Sequence, residues 1–347
     1  ATSDRFPSVL FGDDLESAMG LDRAVVTDRG TAEPLAHTYS IVARDPVTGE
    51  FGVAVQSHYF SVGPTVPWAE SGVGAVATQS LVLVDYGPMG LELMRKGFTA
   101  KQALDSLLRG DPGRDGRQVA MVDAHGNVAA WTGPKCIPDA GDVQGDGFSC
   151  QANLMASPTV WPAMKRAFES AKGDLAARML AALDAAGAQG GDIRGRQSCA
   201  ILVVKGTASG KPWNDVVVNL RVEDHPAPLV EMRRLLQLQR AYRIEDQGDT
   251  YTSEGKSAEA AAAYAEAMKL APDVVELQFW SACTMYANKQ EAQAREVFRR
   301  VFAREPRWVP LPRRLAKVGL FPNDEKAIAD VESLAPKKKP ARSAARK

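Results

Sequence analysis

Cysteine and histidine are scarce in this chain of 347 residues, with four of each. Cys136, Cys150, Cys199 and Cys283 form no CxxC pair, and no histidine stands at ligand spacing from another histidine or cysteine. No metal site is therefore expected. So few thiols in so long a chain read as the reduced cysteines of a cytoplasmic protein, with a Cys136–Cys150 disulfide as the alternative. An excess of either charge is also lacking, since 42 Lys and Arg balance 42 Asp and Glu. That argues against a global field recruiting nucleic acid or an anionic membrane. No run approaches the ~18 consecutive apolar residues of a membrane helix. Residues 1–36 lack the charged start and apolar stretch of an intact signal peptide. GxGxxG and GxxxxGK[ST] are missing from any strand-to-helix context, so nothing cradles a nucleotide phosphate and no cofactor is expected.

What is present suits two globular parts. Hydrophobic residues make up 45% and charged residues 24%, an ordinary balance for a protein with a core. Residues 1–37 mix charge, Gly and Pro and read as a surface extension. Tyr39 to Arg44 and Phe51 to Gln56 are apolar and β-branched, and Asp45-Pro46-Val47-Thr48-Gly49 between them is turn chemistry. An antiparallel hairpin is expected. Gly72 to Ser80 reads as a third strand whose small residues let another layer approach. Two helices follow, the second with Thr99 as N-cap, Ala103, Leu104, Leu107 and Leu108 on one face, and Gly110 at its end. Gln118 to Asp123 and Val128 to Thr132 form a hairpin, with Asp123 and His125 as turn residues. Phe148 to Asn153 is a further strand, helices follow at about 158–171 and 174–187, and strands at 199–205 and 216–222 close the domain. Asp139, Asp142 and Asp146, set among glycines, lack the alternation of a calcium loop and read as a flexible lid. Grouped strands and helices with recurrent hairpins favour antiparallel sheets covered by helix pairs, a layered α+β architecture.

Near Asp224 to Pro228 the chain carries a linker, His225-Pro226-Ala227-Pro228. Beyond it the composition turns to Ala, Leu, Glu and Arg and repeats with a period of 34. Tyr264 recurs as Phe298, Ala260 as Ala294 and Pro272 as Pro306. With Gly248, Tyr251 and Ala267, residues 241–274 resemble the tetratricopeptide (TPR) pattern, and 275–308 repeat it more weakly. The expected division is a 1–37 extension, a 38–228 α/β domain, a 229–335 all-α TPR-like module and a 336–347 basic tail, solvated around Lys337-Lys338-Lys339. Two and a fraction repeats leave an apolar end to cover, for which Trp280, Phe298 and Trp308 are available. A homodimer or a docked module is expected.

The stretch His37-Thr38-Tyr39-Ser40-Ile41-Val42-Ala43-Arg44-Asp45 is the most telling. With it go Gly52-Val53-Ala54-Val55-Gln56-Ser57, Gly72-Val73-Gly74-Ala75-Val76-Ala77-Thr78-Gln79, Val122-Asp123-Ala124-His125-Gly126, Gln151-Ala152-Asn153 and Gly195-Arg196-Gln197-Ser198. Over about residues 38–230 the chain resembles a bacterial family of unknown function (domain of unknown function number 1028). That family is placed by fold among the N-terminal nucleophile (Ntn) hydrolases. The resemblance implies a four-layer αββα sandwich. It also implies a chemistry in which one residue supplies a hydroxyl or thiol nucleophile and, through its free α-amine, the base. Thr38 stands at that position. It is preceded by 37 residues, so its nitrogen is an amide until the bond between His37 and Thr38 is cut.

Two functions are open. The first is a hydrolase of a small-molecule amide or related C–N bond. Thr38, His58 and Asn153 would be catalytic: the nucleophile, a proton-transfer group at a strand mouth, and an oxyanion donor. Gln56, Gln79 and Arg196 would bind substrate, Arg196 through a carboxylate. Against these stand plainer readings: a strand threonine, a packing histidine, ladder-end amides and an Asp192–arginine pair that merely holds its loop. The second function is a non-catalytic binding or scaffold protein that takes a protein partner, or another copy of itself, through the TPR-like module.

Overall fold

The structure is a computed structural model and describes residues 35–36 and 38–336. The basic tail and the rest of the N-terminal extension lie outside the described residues. The chain divides into two compact units, the first ending at Met232 and the second starting at Arg233.

The first unit is mixed α/β. One sheet runs β1 (Leu35–Ala36), β5 (Gly74–Leu81), β6 (Arg117–Asp123) and β7 (Val128–Thr132), with β4 (Pro67–Glu70) also on β5. The other runs β11 (Val216–Val222), β10 (Ser198–Val204), β3 (Phe51–Ser57), β2 (Thr38–Arg44), β9 (Phe148–Ala152) and β8 (Gly141–Gly145). Among the described residues every named strand pair is antiparallel.

The two sheets face each other across one apolar cluster. Val42, Val53, Val55 and Ala200 come from one sheet, Ala75, Ala77, Ala120 and Val122 from the other. Side chains alternate along a strand, so the intervening positions point outward to helices. Val76, Val119 and Met121 pack with α1 (Tyr86–Arg95) and α2 (Ala100–Gly110). On the far side α3 (Val160–Ser170) lies on β8 and β9, and α4 (Leu175–Ala188) lies on β2, β3 and β10. A Cβ on Gly52 would sit 2.6 Å from the Met179 side chain, so glycine there lets α4 come close. Each fully buried valine or leucine in such layers stabilises by roughly 1.5–3 kcal/mol. The layers of the first unit therefore stack as helix pair, sheet, sheet, helix pair.

The expected strands, hairpins and helices form. Thr99 caps α2 in a capping box with Gln102, and Asp123 Oδ1 accepts from the backbone of His125 and Asn127. Two features differ. β4 adds a short strand, anchored by Trp68. The expected lid around Asp142 is instead the β8–β9 hairpin, turned on Asp146-Gly147 with Gly147 at φ 71°. Its glycines have a packing reason, because a Cβ on Gly141 would meet the Trp161 ring at 2.6 Å and one on Gly145 the Phe148 ring at 2.2 Å. All four cysteines are free and buried, so the Cys136–Cys150 alternative does not form.

The second unit is helical. α5 (Pro228–Ser253) runs through the division between the units. α6 (Ser257–Leu270), α7 (Val275–Ala287), α8 (Glu291–Arg304), α9 (Leu311–Ala316) and α10 (Glu325–Glu332) follow. Phe279, Phe298, Phe302 and Phe321 share one core. Phe298 is fully buried, and Trp280 and Trp308 pack against the same cluster. These aromatics thus serve the interior of the unit. No helix among the described residues is long and apolar enough to cross a membrane.

Candidate active site

Thr38 opens β2 in the middle of its sheet, paired with Ser57 of β3. Its side chain has the same facing as Ser40 and Val42, toward the other sheet, because β-strand residues alternate in steps of two. Along this inter-sheet space one end is filled by valine and alanine. The other end is polar: Thr38, Ser40, Ser57, Gln79, Gln118, Ser149, Gln151, Asn153 and Ser198 are all buried.

Unsatisfied amides are costly in such a place, and these are bound to one another. Thr38 Oγ1 donates to Ser57 Oγ at 3.2 Å. Gln79 Nε2 donates to the Thr38 carbonyl at 3.3 Å and to Gln118 Oε1 at 2.7 Å. Gln79 Oε1 accepts from Ser40 Oγ at 2.7 Å, which in turn accepts from Gln151 Nε2 at 2.6 Å. Asn153 donates its backbone N–H to the Thr38 carbonyl at 3.1 Å and its side-chain amide to Gln118 Oε1 at 2.9 Å. Gln118 Nε2 reaches the Ala152 carbonyl and Thr132 Oγ1, and Thr132 donates to Asp142 at 2.7 Å. The carbonyl of Thr38 is thus clamped by Gln79 and Asn153, and its hydroxyl lies on Ser57. Gln79, Asn153 and Ser57 are all uncharged side chains.

The structure separates the sequence candidates into two groups. Thr38, Gln79 and Asn153 come together. Gln56, His58 and Arg196 do not join them. Gln56 is one residue from Ser57 and so points to the opposite face, where Tyr39 Oη donates to its Oε1. Burial pushes the Tyr39 hydroxyl far above the usual phenol range, so it stays protonated. His58 is exposed, and its backbone N–H donates to Asp192 at 3.2 Å. Arg196 is exposed and lines a cavity of about 160 Å³ with Asp184, Gly187 and Leu229. Asp192 pairs with Arg194 at 2.7 Å and holds that loop. Ser40, Gln118 and Gln151 were not singled out by sequence reasoning, although two-residue alternation from Thr38, Gln79 and Asn153 points to Ser40 and Gln151. Burial raises the thiols, Cys199 to about 12 and Cys136, Cys150 and Cys283 likewise upward. No cluster that could hold a metal ion occurs among the described residues.

The sequence and fold are shared. A family model of unknown function, DUF1028, matches residues 38–232. This chain belongs to the DUF1028 family. A crystal structure of a DUF1028 protein from Silicibacter pomeroyi is similar at 31% identity and a TM-score of 0.52, over 58% of this chain and 88% of that one. No curated protein matches. The DUF1028 match opens at Thr38 and ends at the last residue of the first unit, so the helical unit lies beyond it.

Proposed function

We propose that this DUF1028 protein is an N-terminal nucleophile hydrolase of amide or related C–N bonds, with Thr38 as nucleophile once the chain is cut before it. The observation that carries the reading is the setting of Thr38. It opens a central strand at the polar end of a two-sheet sandwich, its carbonyl held by Gln79 and Asn153 and its hydroxyl by Ser57. Helices packed on the outer faces of both sheets support an αββα reading.

The site's chemistry follows from what surrounds the hydroxyl. A threonine hydroxyl is a poor nucleophile without a base. A free α-amine on Thr38, with a pKa of about 7.7–8.0, would supply one, since part of it is deprotonated near neutrality. In maturation the hydroxyl adds to the preceding carbonyl, the amide nitrogen leaves as the new α-amine, and water hydrolyses the resulting ester. In turnover the amine takes the hydroxyl proton, the oxygen adds to the substrate carbonyl and the leaving nitrogen departs protonated. Water then frees the acid. Asn153 gives one amide hydrogen to Gln118, which fixes the plane of its side chain close to this carbonyl. The test is labelling by an electrophile selective for N-terminal threonine. Thr38 of the cut protein should gain its mass, and Thr38→Ala should gain none and turn over no amide.

A second reading rests on the helical unit. α6 and α8 begin 34 residues apart, at Ser257 and Glu291, and Tyr264 packs over Gly248, where a Cβ would lie 2.9 Å from its ring. A small residue against an aromatic is what a TPR hairpin requires, which supports reading the unit as a binding module for a protein partner or a second copy. Turnover that depends on Thr38 sets this unit beside the hydrolase; its absence leaves binding as the function.

A further inference from the structure

The described part of the extension changes sheets just before Thr38. Ala36 is opposite Ser80 and Leu35 opposite Leu81, both on the outer edge of β5. Thr38, two residues on, is opposite Ser57 in the other sheet. The bond to be cut in the proposed maturation belongs to the single residue that separates these two pairings in sequence. The same edge of β5 is filled by β4 from Gly74 to Ala77, and Thr78 N–H donates to the Val66 carbonyl. The stretch at Ser80 and Leu81 is taken by the extension instead. An open strand edge is a template for any extended chain that reaches it.

Two details mark this stretch as built. Ser80 adopts φ 73°, a left-handed conformation that residues other than glycine rarely take and that tends to persist where function requires it. Leu81 is fixed from the inside, where Arg117 Nη1 donates to its carbonyl at 2.7 Å. Arg117 is itself held by Asp111 at 2.8 Å.

We infer that the edge of β5 at Ser80 and Leu81 is the substrate-binding edge, and that the substrate is an extended, peptide-type acyl chain. Leu35 and Ala36 occupy it as a built-in first substrate. The inference rests on the hydrolase reading above and adds the class of acyl group. A substrate would lie antiparallel to β5, with its second and third residues before the cleaved bond facing Ser80 and Leu81. Its carbonyl then falls where the chain crosses to Thr38. The covalent step is unchanged: Thr38 Oγ bonds to the acyl carbon, the amine leaves protonated, and water releases the acid. Recognition is by backbone, since main-chain hydrogen bonds supply the affinity in strand addition.

The experiment uses the full chain, freed before Thr38 by itself or by a protease site substituted into residues 33–37. The probe is acetyl-Leu-Ala-His carrying a C-terminal epoxyketone, compared with acetyl-His epoxyketone and with the two analogues N-methylated at Leu or at Ala. The rate of mass gain at Thr38 is read. The tripeptide should label at least tenfold faster than the single residue. One N-methyl analogue should lose about tenfold and the other little, because only alternate residues of an antiparallel strand turn their N–H to the neighbour. Equal rates for all four probes would overturn the inference while leaving Thr38 as nucleophile. A Thr38 that no probe labels would overturn both.

Discussion

At the scale of single residues, Gln79 is the side chain that ties Thr38 to both sheets. Its amide spans Ser40, Gln118 and the Thr38 carbonyl. Gln79→Leu removes these bonds, leaving the Ser40 hydroxyl proton without its Gln79 acceptor and the Thr38 carbonyl with one donor fewer. The cost should be about 1–3 kcal/mol in stability. Turnover by the cut protein should fall by about a hundredfold or more through kcat, since misplacing a nucleophile by an ångström is that expensive. Gln79→Glu keeps the acceptor for Ser40 but sets a carboxylate against two carbonyl oxygens, and should not rescue. Steady-state kinetics beside a chemical melt separates the two effects. Part of this arrangement was legible in the sequence. Hairpin counting places Thr38 near Gln56, Ser57 and His58, and Gln79 falls close to a strand end. The same counting made Gln56 look equivalent to Ser57, but neighbouring residues on a strand point to opposite faces. His58 and Arg196 have the right chemistry, yet lie exposed in the loops that follow β3 and precede β10. Only the three-dimensional path of those loops excludes them from the Thr38 cluster.

At the scale of elements, the buried Asp111–Arg117 pair joins the end of α2 to the start of β6. Arg117 Nε is 2.8 Å from Asp111, with side chains 2% and 3% exposed. Tyr86 Oη of α1 donates to the same carboxylate at 3.0 Å. Burial pushes the Asp111 carboxyl up. The Arg117 guanidinium and the Gly113 N–H oppose it and prevail, so the group ionises below the usual carboxylate range. Asp111→Ala takes the carboxylate away from a buried guanidinium and should cost about 3–5 kcal/mol at pH 7 by denaturant melt. The stability that Asp111 adds is present at neutral pH and is lost as pH falls through its depressed pKa. Elements of this size were mostly readable, because hydrophobic alternation and turn residues mark them. The β8–β9 hairpin was hidden by its composition. Gly141 and Gly145 lower strand propensity while making room for Trp161 and Phe148, and the cue that remained was Asp146-Gly147, a two-residue hairpin turn. β4 is short and begins at Pro67, and the pairing with β5 that defines it is not a local signal.

At the scale of the whole molecule, the two units should respond differently to pH. In the helical unit burial pushes Glu245 up to about 7, with Asp249, Glu276 and Asp246 adding to the shift. Its folded pKa exceeds its unfolded one, so its contribution is full below the unfolded pKa of about 4.3 and is lost as pH rises through about 7. Glu245→Gln should therefore melt close to the native chain at pH 4.5 and above it at pH 8. A variant that melts alike at both would contradict the shift. The outline of two units was legible from the change in composition and the 34-residue period. The division inside α5 was not, because a helix that continues across a boundary carries no turn signal there. The central claim, that Thr38 becomes an N-terminal nucleophile, is tested most directly by intact mass after incubation of the full chain. The account predicts a loss corresponding to residues 1–37, none in Thr38→Ala, and a single electrophile adduct on the shortened chain at Thr38. A chain that keeps its full mass, together with no adduct on protein cut deliberately before Thr38, would contradict it.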